Sequence, residues 1–307
     1  MRFVLASMAL VASAASAAPY RSLTRAFASF AEQTATLPDD QRLARFGKEV
    51  AARFPAFYVP ADGEGVAQYR ARVLKALREF PAIKTRYEAA EAAFPQAYAA
   101  GVAHFRTAFP DFRAPANVVI LHSLGQLDGG TRTLGGKHYL LFGADGIARY
   151  HEPDSIGVLF DHELFHVEHA RAFSDCDPVW CGLWQEGLAT YASLAMNPGA
   201  NDRQLMLDLP KPIRGSVDAQ WKAALCLLRA KLESTSRADY GLFFFANANG
   251  SSFPSRFGYY LGLRIAEQAA AKHSLQEMAR MDHSAAHALV GRSLDGMVAD
   301  AGGCAAG

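Results

Sequence analysis

Five consecutive residues, His162-Glu163-Leu164-Phe165-His166, hold the chain's most concentrated chemistry. Histidines four apart lie on one face of an α-helix, so their imidazoles can converge on one tetrahedral zinc ion. Glu163, about 100° around the same helix, can reach a water on that ion and act as its general base. Two imidazoles do not complete a site. Glu186 follows His166 after nineteen intervening residues, within Trp184-Gln185-Glu186-Gly187-Leu188-Ala189-Thr190-Tyr191. Its carboxylate could approach the histidines from a second helix. Three protein ligands, His162, His166 and Glu186, then leave one open position, the form a catalytic zinc site takes. Other donors stand nearby. His169 shares the stripe of His162 and His166, but seven helical residues span about 10 Å, too far for one ion to bridge. Asp175 and Cys176 remain alternatives, the latter only as a free thiol.

Both ligand segments must be helical, and their surroundings predict it. From Asp154 onward Ile156, Leu159, Phe160, Phe165 and Val167 make a stretch apolar around much of its circumference, the mark of a buried helix. Ahead of it, Val118-Val119-Ile120-Leu121-His122 reads as a strand and Lys137 to Phe142 as a second. The glycine-rich run Gly125 to Gly136 between them suits a hairpin with a long connection, and no helix follows it in the manner of a phosphate cradle. Residues 20 to about 109 read mostly as helix: Pro38-Asp39-Asp40 opens a helix covering Leu43 to Phe54. Val66, Tyr69, Val73, Leu74, Leu77 and Phe80 recur at helical spacing, and Ala82 to Phe109 continues with an expected kink at Pro95. The expected class is α+β, mostly helical, with a small β-sheet ahead of the metal-binding helix. Its divisions are a signal peptide at 1–17, a helical region at 18–115 serving as scaffold or prodomain, and a catalytic domain at 116–307.

The motif His162-Glu163-x-x-His166 with the later Glu186 resembles the gluzincin zinc metallopeptidases, and most nearly the uncharacterised peptidase-MA-like predicted zinc proteases. The nineteen-residue interval is similar to that of thermolysin, and the Trp-x-Glu-Gly setting to the aminopeptidase branch. The resemblance implies a zincin-like fold from Val118 to about Ala195, His162, His166 and Glu186 as ligands, and Glu163 as general base. It also implies an edge strand ahead of the metal helix that pairs with extended peptide, here assigned to Tyr139–Phe142. The chain departs from the pattern at Thr190, where thermolysin-like enzymes carry an aspartate that orients a ligand histidine. Asp161, Asp154 or a backbone carbonyl is expected in that role. The aminopeptidase motif Gly-x-Met-Glu-Asn is absent, which favours an endopeptidase. A metzincin is excluded, because His169 and Ala172 stand where that family needs glycine and a ligand. A tetrahedral oxyanion needs a second donor, and Tyr259 or Tyr260 in Arg256-Phe257-Gly258-Tyr259-Tyr260-Leu261-Gly262 could supply it, or could serve only as packing.

Composition sets the context. Lys and Arg number 31 against 30 Asp and Glu, without long runs of one sign, so no nucleic-acid partner is expected. Arg2, an apolar stretch from Phe3 to Ala12, and small residues at Ala15 and Ala17 predict a signal peptide cleaved after Ala17, and export to the periplasm or beyond the cell. No later run reads as a membrane span. Four cysteines suit an oxidising compartment and permit three pairings, of which Cys176–Cys181 and Cys226–Cys304 are favoured over a buried free thiol at Cys226. Asn249-Gly250-Ser251 matches a glycosylation pattern. No organic cofactor is expected. The reading is an exported zinc-dependent peptidase, probable endopeptidase, acting on peptide or protein substrates. Its alternatives are a secreted zinc-binding or interaction protein without proteolysis, and a zinc hydrolase of non-peptide amides or esters.

Overall fold

The computed structural model describes residues 19–61, 63–246 and 251–305. The expected signal segment 1–17 lies outside them, as do Asn249 and Gly250 of the glycosylation pattern. The chain order is β1 (Arg21–Ser22), α1 (Thr24–Gln33), α2 (Asp39–Glu49), α3 (Val66–Ala108), β2 (Val118–Leu121), β3 (Gly129–Leu134), β4 (Lys137–Gly143), α4 (Ala144–Tyr150), α5 (Ile156–His169) and α6 (Val179–Met196). Six helices follow: α7 (Arg214–Asp218), α8 (Trp221–Lys231), α9 (Arg237–Phe244), α10 (Phe257–Ala270), α11 (Leu275–Ala279) and α12 (His283–Asp300). The architecture is α+β, mostly helical with one small mixed sheet.

That sheet corrects the expected hairpin. Its order is β1-β2-β4-β3, with β2 parallel to both β1 and β4, and β3 antiparallel to β4. Val118–Leu121 and Lys137–Gly143 are therefore not the arms of a hairpin, and the glycine-rich run is not simply a loop. It supplies β3, whose turn into β4 is the two-residue Gly135-Gly136, with φ of 56° and 74°. Two successive positive φ values suit a tight hairpin turn and strongly favour glycine. Tyr139–Phe142 is accordingly part of an inner strand, and the edge on its side of the sheet is β3, with β1 at the opposite edge.

The long helix α3 runs 43 residues through both Pro81 and Pro95 instead of breaking between Phe80 and Ala82. Each proline forfeits one helical hydrogen bond. Phe80, Tyr87, Phe94 and Tyr98, all buried, hold the helix against the rest of the core on both sides of the prolines. Phe94 meets Phe142 of β4 at 5.3 Å between ring centroids, and Phe142 meets Phe160 of α5 at 5.1 Å. A Cβ at Gly101 would fall 2.9 Å from that of Phe160, so α3 lies directly on the helix carrying the two histidines. One apolar core thus runs across the 115/116 boundary, and residues before it help to fix α5.

Both favoured disulfides are present, Cys176–Cys181 and Cys226–Cys304. Among the described residues, no helix is long and apolar enough to cross a membrane.

Candidate metal centre

Helix α5 is buried around most of its circumference, and its half-open face carries His162 and His166. Helix α6 packs against it and presents Glu186 to the same point. The first turn of α6 is fastened from outside, because the Val179 and Trp180 amides donate to the carbonyls of Ser234 and Leu232. The Cys176–Cys181 bridge ties the preceding loop to that turn. On its far side α6 meets α10 at two glycines. A Cβ on Gly187 would lie 2.2 Å from the Gly262 backbone, and one on Gly262 would lie 2.4 Å from the Leu183 carbonyl oxygen. Only glycine permits so close a crossing. It brings Tyr259, three residues before Gly262, to the side of Glu186.

The three proposed ligand atoms form a small triangle. His162 Nε2 and His166 Nε2 are 3.1 Å apart, and Glu186 Oε2 stands 3.3 Å from the first and 3.4 Å from the second. For ligands at about 2.0–2.1 Å from zinc, the edges of a tetrahedron come to about 3.3–3.4 Å. Donor types and spacing therefore fit a zinc ion. Among the described residues this is the one histidine, cysteine and carboxylate group with such convergence.

The electrostatics show what the triangle requires. Burial would drive His166 toward the neutral form, but the carboxylates of Glu186 and Glu163 outweigh it and raise its pKa to about 9. Burial likewise opposes the charge on Glu186, yet His166 and His162 hold its pKa well below the ordinary carboxylate range. For His162 burial wins and the pKa is lowered.

Glu163 lies beside this group in a different state. It is buried, its Oε2 has no hydrogen-bond partner, and burial, aided by Asp128 and Glu186, raises its pKa to about 8. Its unpartnered oxygen lines the same cleft as His162, His166 and Glu186. Gly129, the first residue of β3, makes the space: a Cβ there would fall 2.6 Å from Glu163 Cγ. Asp128, just before it, accepts a 2.7 Å hydrogen bond from the buried His151. Burial works against its charge, but His151 and, more weakly, Arg256 hold its pKa down to about 2.

These groups line a cleft of about 670 Å³. Edge strand β3 contributes Gly129, Gly130 and Thr131, and across the cleft stand Arg256 and Tyr259. The Tyr259 ring stacks near His162 at 6.4 Å between centroids, and the Arg256 guanidinium lies 4.4 Å from the Tyr259 centroid. Burial, then Glu186, raises the Tyr259 pKa well above its ordinary value, so the hydroxyl keeps its proton.

Of the two tyrosines, the structure therefore brings only Tyr259 to the site. Tyr260, a further 100° around α10, is buried on the other side and donates a 2.7 Å hydrogen bond to Asp218. His169 is neither at the surface nor beside the ligands, but stacks on Phe173 at 4.8 Å. Asp161 does not orient a ligand histidine. It accepts hydrogen bonds from His104 of α3 and Asn197 at the end of α6. Thr190 bonds back to the Glu186 carbonyl. Asp175 and Cys176 reach the cleft wall, but Cys176 is oxidised and Asp175 accepts a hydrogen bond from Gln185. Asp128, Gly129 and Arg256 went unrecognised in the sequence. Asp128-Gly129-Gly130 reads locally as a turn, and nothing local marks Arg256. No protein-family model, curated protein or solved structure matches the chain.

Proposed function

We propose that this protein is an exported zinc-dependent peptidase of zincin-like, gluzincin type, and that it cleaves within peptide chains. The observation that carries the reading is the 3.1–3.4 Å triangle of His162, His166 and Glu186 beside the unpartnered carboxylate of Glu163, at the floor of an open cleft. A structural zinc site is closed by four protein ligands and has no use for such a carboxylate. The two disulfides accord with an oxidising compartment.

Zinc, when bound, would polarise a water and the substrate carbonyl. The rest falls to the chain. Glu163 takes the proton of the attacking water on its carboxylate and returns it to the leaving amine, a role served by its unpartnered oxygen in the same cleft as the three donors. Tyr259, protonated and beside His162, donates its hydroxyl to the developing oxyanion. The free edge of β3 offers main-chain hydrogen bonds to an extended peptide, and Gly129 and Gly130 keep that edge low enough for backbone to approach.

The test compares the zinc-loaded wild type with Glu163→Gln on a broad peptide library. The expected result is internal cleavage by the wild type, slowed roughly 10²- to 10⁴-fold in the variant, with equal zinc content. Equal turnover in both refutes the reading. Hydrolysis of simple esters or amides without peptide cleavage would replace it with a non-peptide zinc hydrolase.

A further inference from the structure

Arg256 lines the cleft in an unusual backbone conformation. It is a non-glycine residue with φ of 67°, a left-handed conformation that side chains with a Cβ rarely adopt. The residue it touches is strained too: its Nη1 donates at 3.3 Å to the carbonyl of Met206, where φ is 58°. Both residues line the cleft.

Its charge is also unspent. Arg214, Arg264 and Arg203 are paired, with Asp202 at 2.8 Å, Glu267 at 3.1 Å and Asp208 at 3.6 Å, whereas the other arginine lining the cleft, Arg237, lies over the Phe245 ring. Among the described residues no carboxylate lies within 4.0 Å of the Arg256 nitrogens. Asp128, the acid at its end of the cleft, is already bonded to His151. A guanidinium has five donor hydrogens, and the Met206 carbonyl and the Tyr259 hydroxyl leave several of them free for a ligand. Tyr259, under its face at 4.4 Å, sets the plane of the fork.

For a peptide that pairs antiparallel with β3, the direction of the strand sets which part of it would meet Arg256. A peptide added antiparallel to the free edge runs opposite to β3, so its C-terminal side lies at the Gly129 end. Asp128 precedes Gly129 at that end, and the Arg256 guanidinium is near enough to help hold its carboxyl down.

We infer that Arg256 is a specificity residue that receives a substrate carboxylate on the C-terminal side of the scissile bond. This rests on the peptidase reading above and narrows it to peptides bearing negative charge there. The carboxylate can be a chain terminus or an Asp or Glu side chain. Either forms a two-point pair with the guanidinium fork.

The experiment uses three versions of one cleaved peptide: free C-terminal acid, C-terminal amide, and amide with glutamate replacing a neutral residue downstream of the cut. Zinc-loaded wild type, Arg256→Gln and Arg256→Lys are compared for kcat and KM. Wild type is expected to favour a carboxylate form by roughly tenfold or more in kcat/KM, mostly through KM. Arg256→Gln should erase the preference and Arg256→Lys keep part of it, as charge survives without the fork. Preference for the free acid alone identifies the terminus, and equal preference for the glutamate amide identifies a side chain. The inference is overturned if wild type shows no preference, if Arg256→Gln keeps it, or if Arg256→Gln slows all three substrates equally. Binding of the acid and amide peptides to zinc-loaded Glu163→Gln, with and without Arg256→Gln, separates the two claims. Arg256-dependent tighter binding of the acid without any wild-type cleavage upholds the carboxylate site and defeats the peptidase reading. Cleavage with indifference to charge does the reverse.

Discussion

Replacing Gly129 with alanine should disarm the site while leaving the fold standing. The new Cβ would fall 2.6 Å from Glu163 Cγ and 2.7 Å from both Cδ and Oε1. Ordinary carbon contacts lie at about 3.5–4.0 Å, so roughly 1 Å of overlap must be relieved. Residue 129 is paired with the buried Phe142 of β4, which anchors the strand, whereas the Glu163 carboxylate ends a side chain with rotatable bonds. The carboxylate should therefore move. A 1 Å misplacement of a reacting group costs about 10²-fold in rate, and overpacking costs about 1–3 kcal/mol of stability. We expect Gly129→Ala to lower kcat on a peptide substrate about a hundredfold, with zinc content unchanged and a melting temperature lower by a few degrees. Gly157→Ala, whose Cβ meets nothing within 4 Å at the start of α5, is the matched control and should keep full turnover. Undiminished turnover in Gly129→Ala would refute the assignment of Glu163 as the base. Loss of zinc with activity would show that the strand acts through the ligands instead.

Three further outcomes follow from the same geometry. Zinc binding at pH 7 should release at least one proton per ion, because His166 is protonated below about 9 in the metal-free protein. Calorimetry in buffers of different ionisation enthalpy reads this number, and heats independent of buffer would contradict it. In the metal-free protein the raised His166 contributes stability that is fully present below its ordinary value of 6.5 and lost as pH rises through about 9. The depressed Glu186 contributes stability present above 4.5 and lost only in strong acid, so metal-free melting temperatures should fall between pH 7 and pH 10 more than those of the zinc-loaded protein. Of the two disulfides, Cys226–Cys304 closes a separation of 78 residues and Cys176–Cys181 one of 5, so removing the first should cost roughly 4–5 kcal/mol and the second roughly 2 kcal/mol in denaturant unfolding. The reverse order would show that the short bridge has a structural role beyond loop closure.

The chemistry was legible where it is local. Helical periodicity alone places His162 and His166 on one face and turns Glu163 aside, and the apolar run around them predicts the buried helix. Glu186 required a second helix and an ion to unite three donors, and the structure brings its oxygen within 3.4 Å of both rings. What escaped the reading is set by distant contacts. Strand β3 is hidden in a glycine-rich run because its pairing with β4, not its own propensity, makes it a strand. Pro81 and Pro95 sit inside one helix because aromatic packing on either side outweighs two lost hydrogen bonds. Tyr259 and Tyr260 are adjacent in sequence, and the Gly187–Gly262 crossing of α6 and α10 sets which one faces His162 and Glu186. Asp161, one of three candidates, with Asp154 and a backbone carbonyl, for orienting a ligand histidine, is turned instead toward His104 and Asn197.

Zinc K-edge X-ray absorption of the purified, zinc-loaded protein tests the centre most directly. The account requires a nitrogen and oxygen shell at about 2.0–2.1 Å with the outer-shell scattering of two imidazoles, reduced to one imidazole in His162→Ala or His166→Ala. A sulfur shell at about 2.3 Å, or an imidazole signal indifferent to both substitutions, would contradict it.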